Sequence, residues 1–208
     1  MKERIVTGII AGILFLGALI WGGTVFMVLS CFICGIGLKE LYQMTLSKEK
    51  KNIILFILGS VYVVMGFYLF FQARNEQGLA FVLLVLFSIW ATDSGAYFVG
   101  RKWGKHKLAP SISPNKTIEG SIGGIVVAWI VAIFFQFIHP VEQNLLSLFI
   151  LVTVISVAGQ VGDLIESAVK RHVDVKDSGN ILPGHGGILD RFDSLLFVFL
   201  VLICTPFL

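Results

Sequence analysis

Polar and apolar positions along this chain segregate into long blocks. Residues 5–38 carry no charge over 34 positions, and 120–138 is apolar apart from its glycines, Ser121 and Gln136. At about 1.5 Å per residue, about 20 helical residues cross a hydrocarbon core of about 30 Å. The first run as one helix would measure about 51 Å and overshoot that core by about 20 Å, so the Gly22, Gly23 pair is its natural break. The pattern predicts spans at 5–21, 24–44, 53–71, 79–100, 120–139, 144–162 and 195–208, the second running into an amphipathic end with Lys39 and Glu40. The last, at 14 residues, is short for a full crossing. These runs are too long for barrel strands and show no strand alternation. The expected fold class is therefore all-α: a polytopic integral membrane protein with about seven transmembrane helices.

Composition supports lipid as the main solvent, since 56% of the 208 residues are hydrophobic and 14% charged. A net charge of +3 is too small to suggest nucleic acid. The placement of the charges is more informative. With the N-terminus inside, residues 1–4, 39–52, 101–119 and 163–194 all face the cytoplasm and carry 15 of the 16 Lys and Arg residues. Only Arg74 falls outside. The expected location is a bacterial-type plasma membrane, with a polar active site facing the cytoplasm. The N-terminal run lacks a small-x-small cleavage site and is expected to be retained. Cys31, Cys34 and Cys204 lie in apolar runs, where a redox or zinc role lacks water and partners.

Two cytoplasmic segments and one span carry chemistry. In the loop 101–119, Arg101, Lys102, Lys105 and Lys107 read as an anchor that also attracts anionic head groups. Lys116 differs: it sits in a turn entering the next span, where backbone N–H groups and an ammonium can meet a phosphate. Asp93 lies late in a span otherwise free of charge until Arg101, so it is either functional or, with Ser94, a cap on a helix restart.

The segment 163–194 is the densest. On a helix, Asp163, Glu166, Ser167, Lys170 and Arg171 fall at i, i+3, i+4, i+7 and i+8, so acids and bases share a face. The turn 183–187 (P-G-H-G-G) contains glycines able to bring backbone N–H groups against a ligand. His185 within it is open to three readings: phosphate donor, loop-stabilising partner or proton donor. His106, His139 and His172 read as surface residues. A helix restarting near Ile188 places Asp190, Asp193 and Ser194 at i, i+3 and i+4. Hard oxygen ligands of this kind suit Mg²⁺, which shares its shell with water and substrate phosphates.

At these residues the chain resembles the CDP-diacylglycerol synthases, or phosphatidate cytidylyltransferases. That family's signature maps onto Ser167, Lys170, Arg171, Lys176, Asp177, the 183–187 turn (with Gly184, His185, Gly186 and Gly187), Asp190, Arg191 and Asp193. Asp93 to Tyr97, and Ser113 to Thr117 with Glu119 and Gly120, resemble its upstream blocks. The whole of 1–208 then reads as one transmembrane cytidylyltransferase domain, closest to the family over 88–194, though shorter than typical members before Asp93. The resemblance implies CTP and phosphatidic acid as substrates, with CDP-diacylglycerol and pyrophosphate as products in phospholipid synthesis. It implies Mg²⁺ held by Asp163, Asp190 and Asp193, with a monovalent cation such as K⁺ beside it in some members. A homodimer within membrane lipid is among the partners it implies.

In that reaction a phosphate monoester attacks the α-phosphorus of CTP. Its second pKa lies near about 6, so no dedicated base is needed. The difficulty is bringing two anions together, which metal and Lys or Arg charges solve. Lys116, Lys170, Arg171, Lys176 and Arg191 are the expected phosphate-binding cations, with Ser167 and the glycine turn beside them. Asp93, Glu119, Glu166 and Asp177 are further candidates. Two rivals stand: a membrane lipid-alcohol kinase acting on a polyprenol, and an ion-coupled transporter, whose carboxylates would be spread along several spans.

Overall fold

A computed structural model describes residues 2–46, 52–179, 181 and 186–208, with side chains from residue 8 onward within that set. The helices are α1 (Lys2–Trp21), α2 (Gly23–Thr45), α3 (Ile53–Glu76), α4 (Gly78–Trp103), α5 (Ile118–Ile138), α6 (Leu145–His172) and α7 (Leu189–Leu202). Each overlaps one of the expected apolar runs, with α7 beginning before and ending before the expected 195–208. Five of them, α2 to α6, are long and apolar enough to cross a membrane. α7 has 14 residues, a rise of about 21 Å. The chain is thus an all-α polytopic membrane protein.

Local chemistry sets the helix boundaries. Gly22 (φ +73°) and Gly23 (φ +52°) adopt the left-handed region at the α1–α2 break, where a side chain would be strained. Arg74 closes the same break from α3, its Nε donating to Leu19 O at 2.7 Å and its Nη2 to Ile20 O at 3.0 Å. These are carbonyls that the end of α1 leaves unpaired. The basic residue that breaks the charge asymmetry therefore caps a helix. Three other starts carry side-chain caps: Asn52 Oδ1 accepts from Leu55 N, Thr117 Oγ1 from Gly120 N, and Asn144 Oδ1 from Ser147 N.

α4 and α6 are the central helices, while α5 keeps only 17% of its apolar window buried. Its exposed Ile122, Val126, Ile130 and Phe134 form a stripe suited to lipid. α4 and α5 pack backbone to backbone: a Cβ at Gly124 would lie 2.6 Å from Thr92 O, and one at Gly120 2.7 Å from Ala96 O. α7 sits inside the bundle, with Leu196, Val198, Phe199 and Leu202 fully buried. Phe70 packs at 5.1 Å on Phe26 and 5.2 Å on Phe199, joining α2, α3 and α7.

An antiparallel hairpin of β1 (Lys107–Ala109) and β2 (Ser113–Thr117), with Lys107 opposite Thr117, departs from the purely helical expectation. Glu119, in the first turn of α5, braces it. Its carboxylate accepts from the backbone N–H of Lys105 at 3.1 Å and of His106 at 3.2 Å, and meets His106 Nδ1 at 2.5 Å.

Candidate active site

α6 runs to His172, ten residues past the expected end of its apolar run, and this extension carries the first half of the site. Helical spacing puts Asp163 and Ser167 together, with Ser167 Oγ donating to Asp163 Oδ1 at 3.3 Å. It also puts Lys170 on Glu166, Nζ to Oε2 at 3.0 Å. Lys116 reaches across from β2 to Asp163 Oδ2 at 2.6 Å. Its ammonium is buried and makes no hydrogen bond to any other described residue, leaving donor capacity for a ligand. Arg171 instead turns to solvent, where Nη1 donates to Val175 O at 3.2 Å. Lys176 and Asp177 are exposed in the following loop.

The first turn of α7 carries the second half. Asp190 is nearly enclosed and fully engaged: Oδ1 accepts from Lys170 Nζ at 2.7 Å, and Oδ2 from Gly187 N at 2.8 Å and Ser178 N at 3.0 Å. Burial alone would raise its pKa, but the Lys170 ammonium and these N–H donors outweigh burial and hold the carboxyl below its usual range. One turn on, Asp193 hydrogen-bonds with the carboxyl of Glu166, shares a groove with Asp93, and lies near enough to Asp163 for their charges to interact. Tyr62 fixes that turn, its hydroxyl donating to Asp193 O at 2.9 Å. Gly186 enters the turn with φ +82°. Gly184 and His185 lie outside the described residues.

Three cavities converge here. One, of about 510 Å³, is the most polar of the three and lies between α4, the hairpin, α5 and α6, with Arg101, Lys107, Asn115, Lys116, Gln160 and Asp163 set in otherwise apolar walls. A second, of about 460 Å³, is a mainly apolar groove between α1, α4 and α7, with Phe15, Leu86 and Trp90 along it and Arg191 and Asp193 at its charged end. A third, of about 230 Å³, is almost wholly apolar and lies among α2, α3, α6 and α7. Asp93 lines the first and second, and Asp193 the second and third.

The junction is acidic. Asp93, Asp163, Glu166 and Asp193 converge there, with Lys116 and Lys170 as the ammonium groups paired to them. Among the described residues no donor reaches the buried Glu166 Oε1, while its carboxyl meets that of Asp193, and such a contact calls for a proton or a cation. Among the described residues, no three His, Cys, Asp or Glu side chains surround one point as a ready metal cage. Asp190 in particular points into its own hydrogen bonds. The donor set fits an ion that takes one or two carboxylates and completes its shell with water and substrate oxygens, the habit of Mg²⁺.

Several members of the site were not singled out from sequence. Glu40, Tyr62 and Ser178 are brought in from elsewhere in the chain, and Arg101 and Lys107, read as anchors, line the polar cavity. Glu40 alone left a trace, as an acid at the end of a long uncharged run.

A model of the cytidylyltransferase family matches residues 46–207. The chain is 40% identical over 254 positions to a phosphatidate cytidylyltransferase of Bacillus subtilis (strain 168), covering 95% of this chain and 94% of the relative. Phosphatidate cytidylyltransferases of Staphylococcus haemolyticus (strain JCSC1435) and Staphylococcus aureus (strain COL) are each 40% identical over 250 positions, covering 95% of this chain and 96% of theirs. Each alignment is longer than the 208 residues of this chain, so these relatives carry a stretch that it lacks. With its polar site set among membrane-spanning helices and its match over most of its length, this chain belongs to the cytidylyltransferase family.

Proposed function

We propose that this membrane enzyme transfers the cytidylyl group of CTP to phosphatidate, with the triphosphate in the polar cavity and the lipid in the apolar groove. The observation that carries this division is that a cavity bearing three basic side chains and a groove flanked by large apolar ones share the Asp93 carboxylate, so their contents meet at one point. A soluble polyanion suits the chamber with Arg101, Lys107 and Lys116. An acyl chain suits the groove, and Arg191 at its end suits a lipid phosphate.

The phosphatidate oxygen attacks the α-phosphorus of CTP, the new P–O bond forming as the bond to the bridging α–β oxygen breaks. The electron pair leaves with pyrophosphate. The nucleophile is already largely ionised, its second pKa being near about 6, so no side chain needs to take a proton. Lys116, with unused donors, orients the triphosphate and offsets its charge. Lys170 is held by Glu166 and Asp190 and acts from that position on the field of the site. Asp163 and Asp193 would hold Mg²⁺, with Asp93 or Glu166 beside them and Asp190 joining only by releasing Lys170. When bound, the ion neutralises phosphate charge and aligns attack. The sidedness of Lys and Arg supports placing the site at the cytoplasmic face, where CTP is available and the lipid phosphate lies at the interface.

The test is a purified chain given CTP labelled at the α-phosphate, phosphatidate and Mg²⁺. Labelled lipid and free pyrophosphate are expected, with Asp163→Asn reducing both by at least about a hundredfold. Transfer of the terminal phosphate to a lipid alcohol would instead assign a kinase. Cysteine labelling of 163–179 from outside the cell would overturn the proposed sidedness.

A further inference from the structure

We infer that Glu40, on α2, is a positioning residue for this reaction: it holds the first turn of α7 so that Asp193 stays beside Asp93 in the groove. The inference rests on the activity proposed above. Glu40 is 0% exposed, and among the described residues no Lys, Arg or His pairs with it. Its partners are all donors. Oε1 accepts from Ile188 N at 2.9 Å, and Oε2 from Leu189 N at 3.0 Å and Ser178 Oγ at 3.2 Å.

A helix start leaves N–H groups unpaired, and Ile188 at the start of α7 provides no side-chain cap. Glu40 supplies that cap from another helix, 148 residues earlier in the chain. A carboxylate at this end is also favoured by the helix dipole. Ser178 extends the link, its Oγ accepting from Asp190 N at 3.3 Å and its own N–H donating to the Asp190 carboxylate. One chain of contacts thus runs from Glu40 through Ser178 and Asp190 to Lys170. The packing leaves no slack: a Cβ at Gly179 or Gly187 would fall 2.6 or 2.7 Å from a Glu40 oxygen.

Asp190, Arg191 and Asp193 all ride on this capped turn. If it rotates, the charged end of the groove moves, while the polar cavity, whose walls contain no α7 residue, does not. Glu40 also lies before the matched stretch 46–207, outside the family description.

The test compares wild type, Glu40→Gln and Ser178→Ala as full chains in nanodiscs, by hydrogen–deuterium exchange and by steady-state kinetics. In Glu40→Gln, exchange at 188–189 is expected to rise at least about tenfold, the scale of losing hydrogen bonds to a charged group, while α4 and α5 stay protected. The same variant should lower kcat by about tenfold or more and raise the KM for phosphatidate several-fold, leaving the KM for CTP within about twofold. Ser178→Ala should move the same readouts in the same direction by about threefold. Wild-type turnover in Glu40→Gln, exchange rising equally in every helix, or both KM values moving together would overturn the positioning role. If Glu40→Gln does not fold, unchanged exchange at 188–193 and unchanged kinetics in Ser178→Ala overturn it. A wild-type protein that makes no CDP-lipid, with 188–189 still selectively loosened in Glu40→Gln, overturns the reaction assignment and leaves only the cap.

Discussion

The two walls of the site are built by opposite means. On the α4–α5 side, shape does the work: glycines bring the helices into backbone contact, and Lys116, paired with Asp163, makes no further hydrogen bond among the described residues. On the α6–α7 side, charge does the work: Glu40, Asp190 and Lys170 are consumed by one another and by backbone N–H groups. One wall leaves its charges for a ligand, and the other uses them to hold the Asp193 turn in place. Acidic and basic residues of similar appearance in the sequence therefore have different tasks.

Substitutions can break this contrast. The largest effect is expected from Asp190→Asn. Turnover should be nearly abolished, and because the change leaves Lys170 without its closest buried partner, stability should fall by about 3 kcal/mol, measured by thermal or denaturant unfolding. A variant that lost activity at full stability would shift Asp190 from brace to reacting centre. Lys116→Met should act the other way, raising the KM for CTP about tenfold with little change in stability or in the KM for phosphatidate. Gly124→Val tests the wall built by shape: the new side chain meets Thr92 O, so unfolding should be easier by about 2 kcal/mol and CTP binding weaker as α4 and α5 separate. The smallest effect belongs to Arg74→Ala, which uncaps α1 far from both walls. It should lower stability by about 1 kcal/mol and leave kcat and both KM values unchanged.

Much of this was legible in the sequence where information is local. Long uncharged runs located α2 to α6, because a membrane span must satisfy its own backbone and so announces itself by length, whereas the short α7 lies earlier than its apolar run implied. The Gly22, Gly23 break follows from the same geometry. Helical spacing placed Asp163 with Ser167 and Glu166 with Lys170, since i, i+4 neighbours on one helix meet wherever that helix packs. What escaped was contact between distant segments. Spacing put Asp190 and Asp193 on one turn but could not show that Lys170 claims the first while the second meets Glu166. Nor does periodicity reveal that Glu40 caps a helix near the other end of the chain. The hairpin escaped because strands of three and five residues are too short to carry a pattern. Arg101 and Lys107 were read as anchors because a loop lysine or arginine looks alike in sequence whether it faces lipid or a cavity.

The groove between α1, α4 and α7 has a kinetic consequence. If phosphatidate occupies it as proposed, the lipid reacts without leaving the bilayer, so one reactant arrives by diffusion in two dimensions and the other in three. The quantity that saturates the enzyme with lipid is then the mole fraction of phosphatidate in the membrane, whatever the volume of the suspension. Diluting vesicles at fixed composition should leave the rate per enzyme unchanged, whereas diluting phosphatidate with inert lipid should lower it.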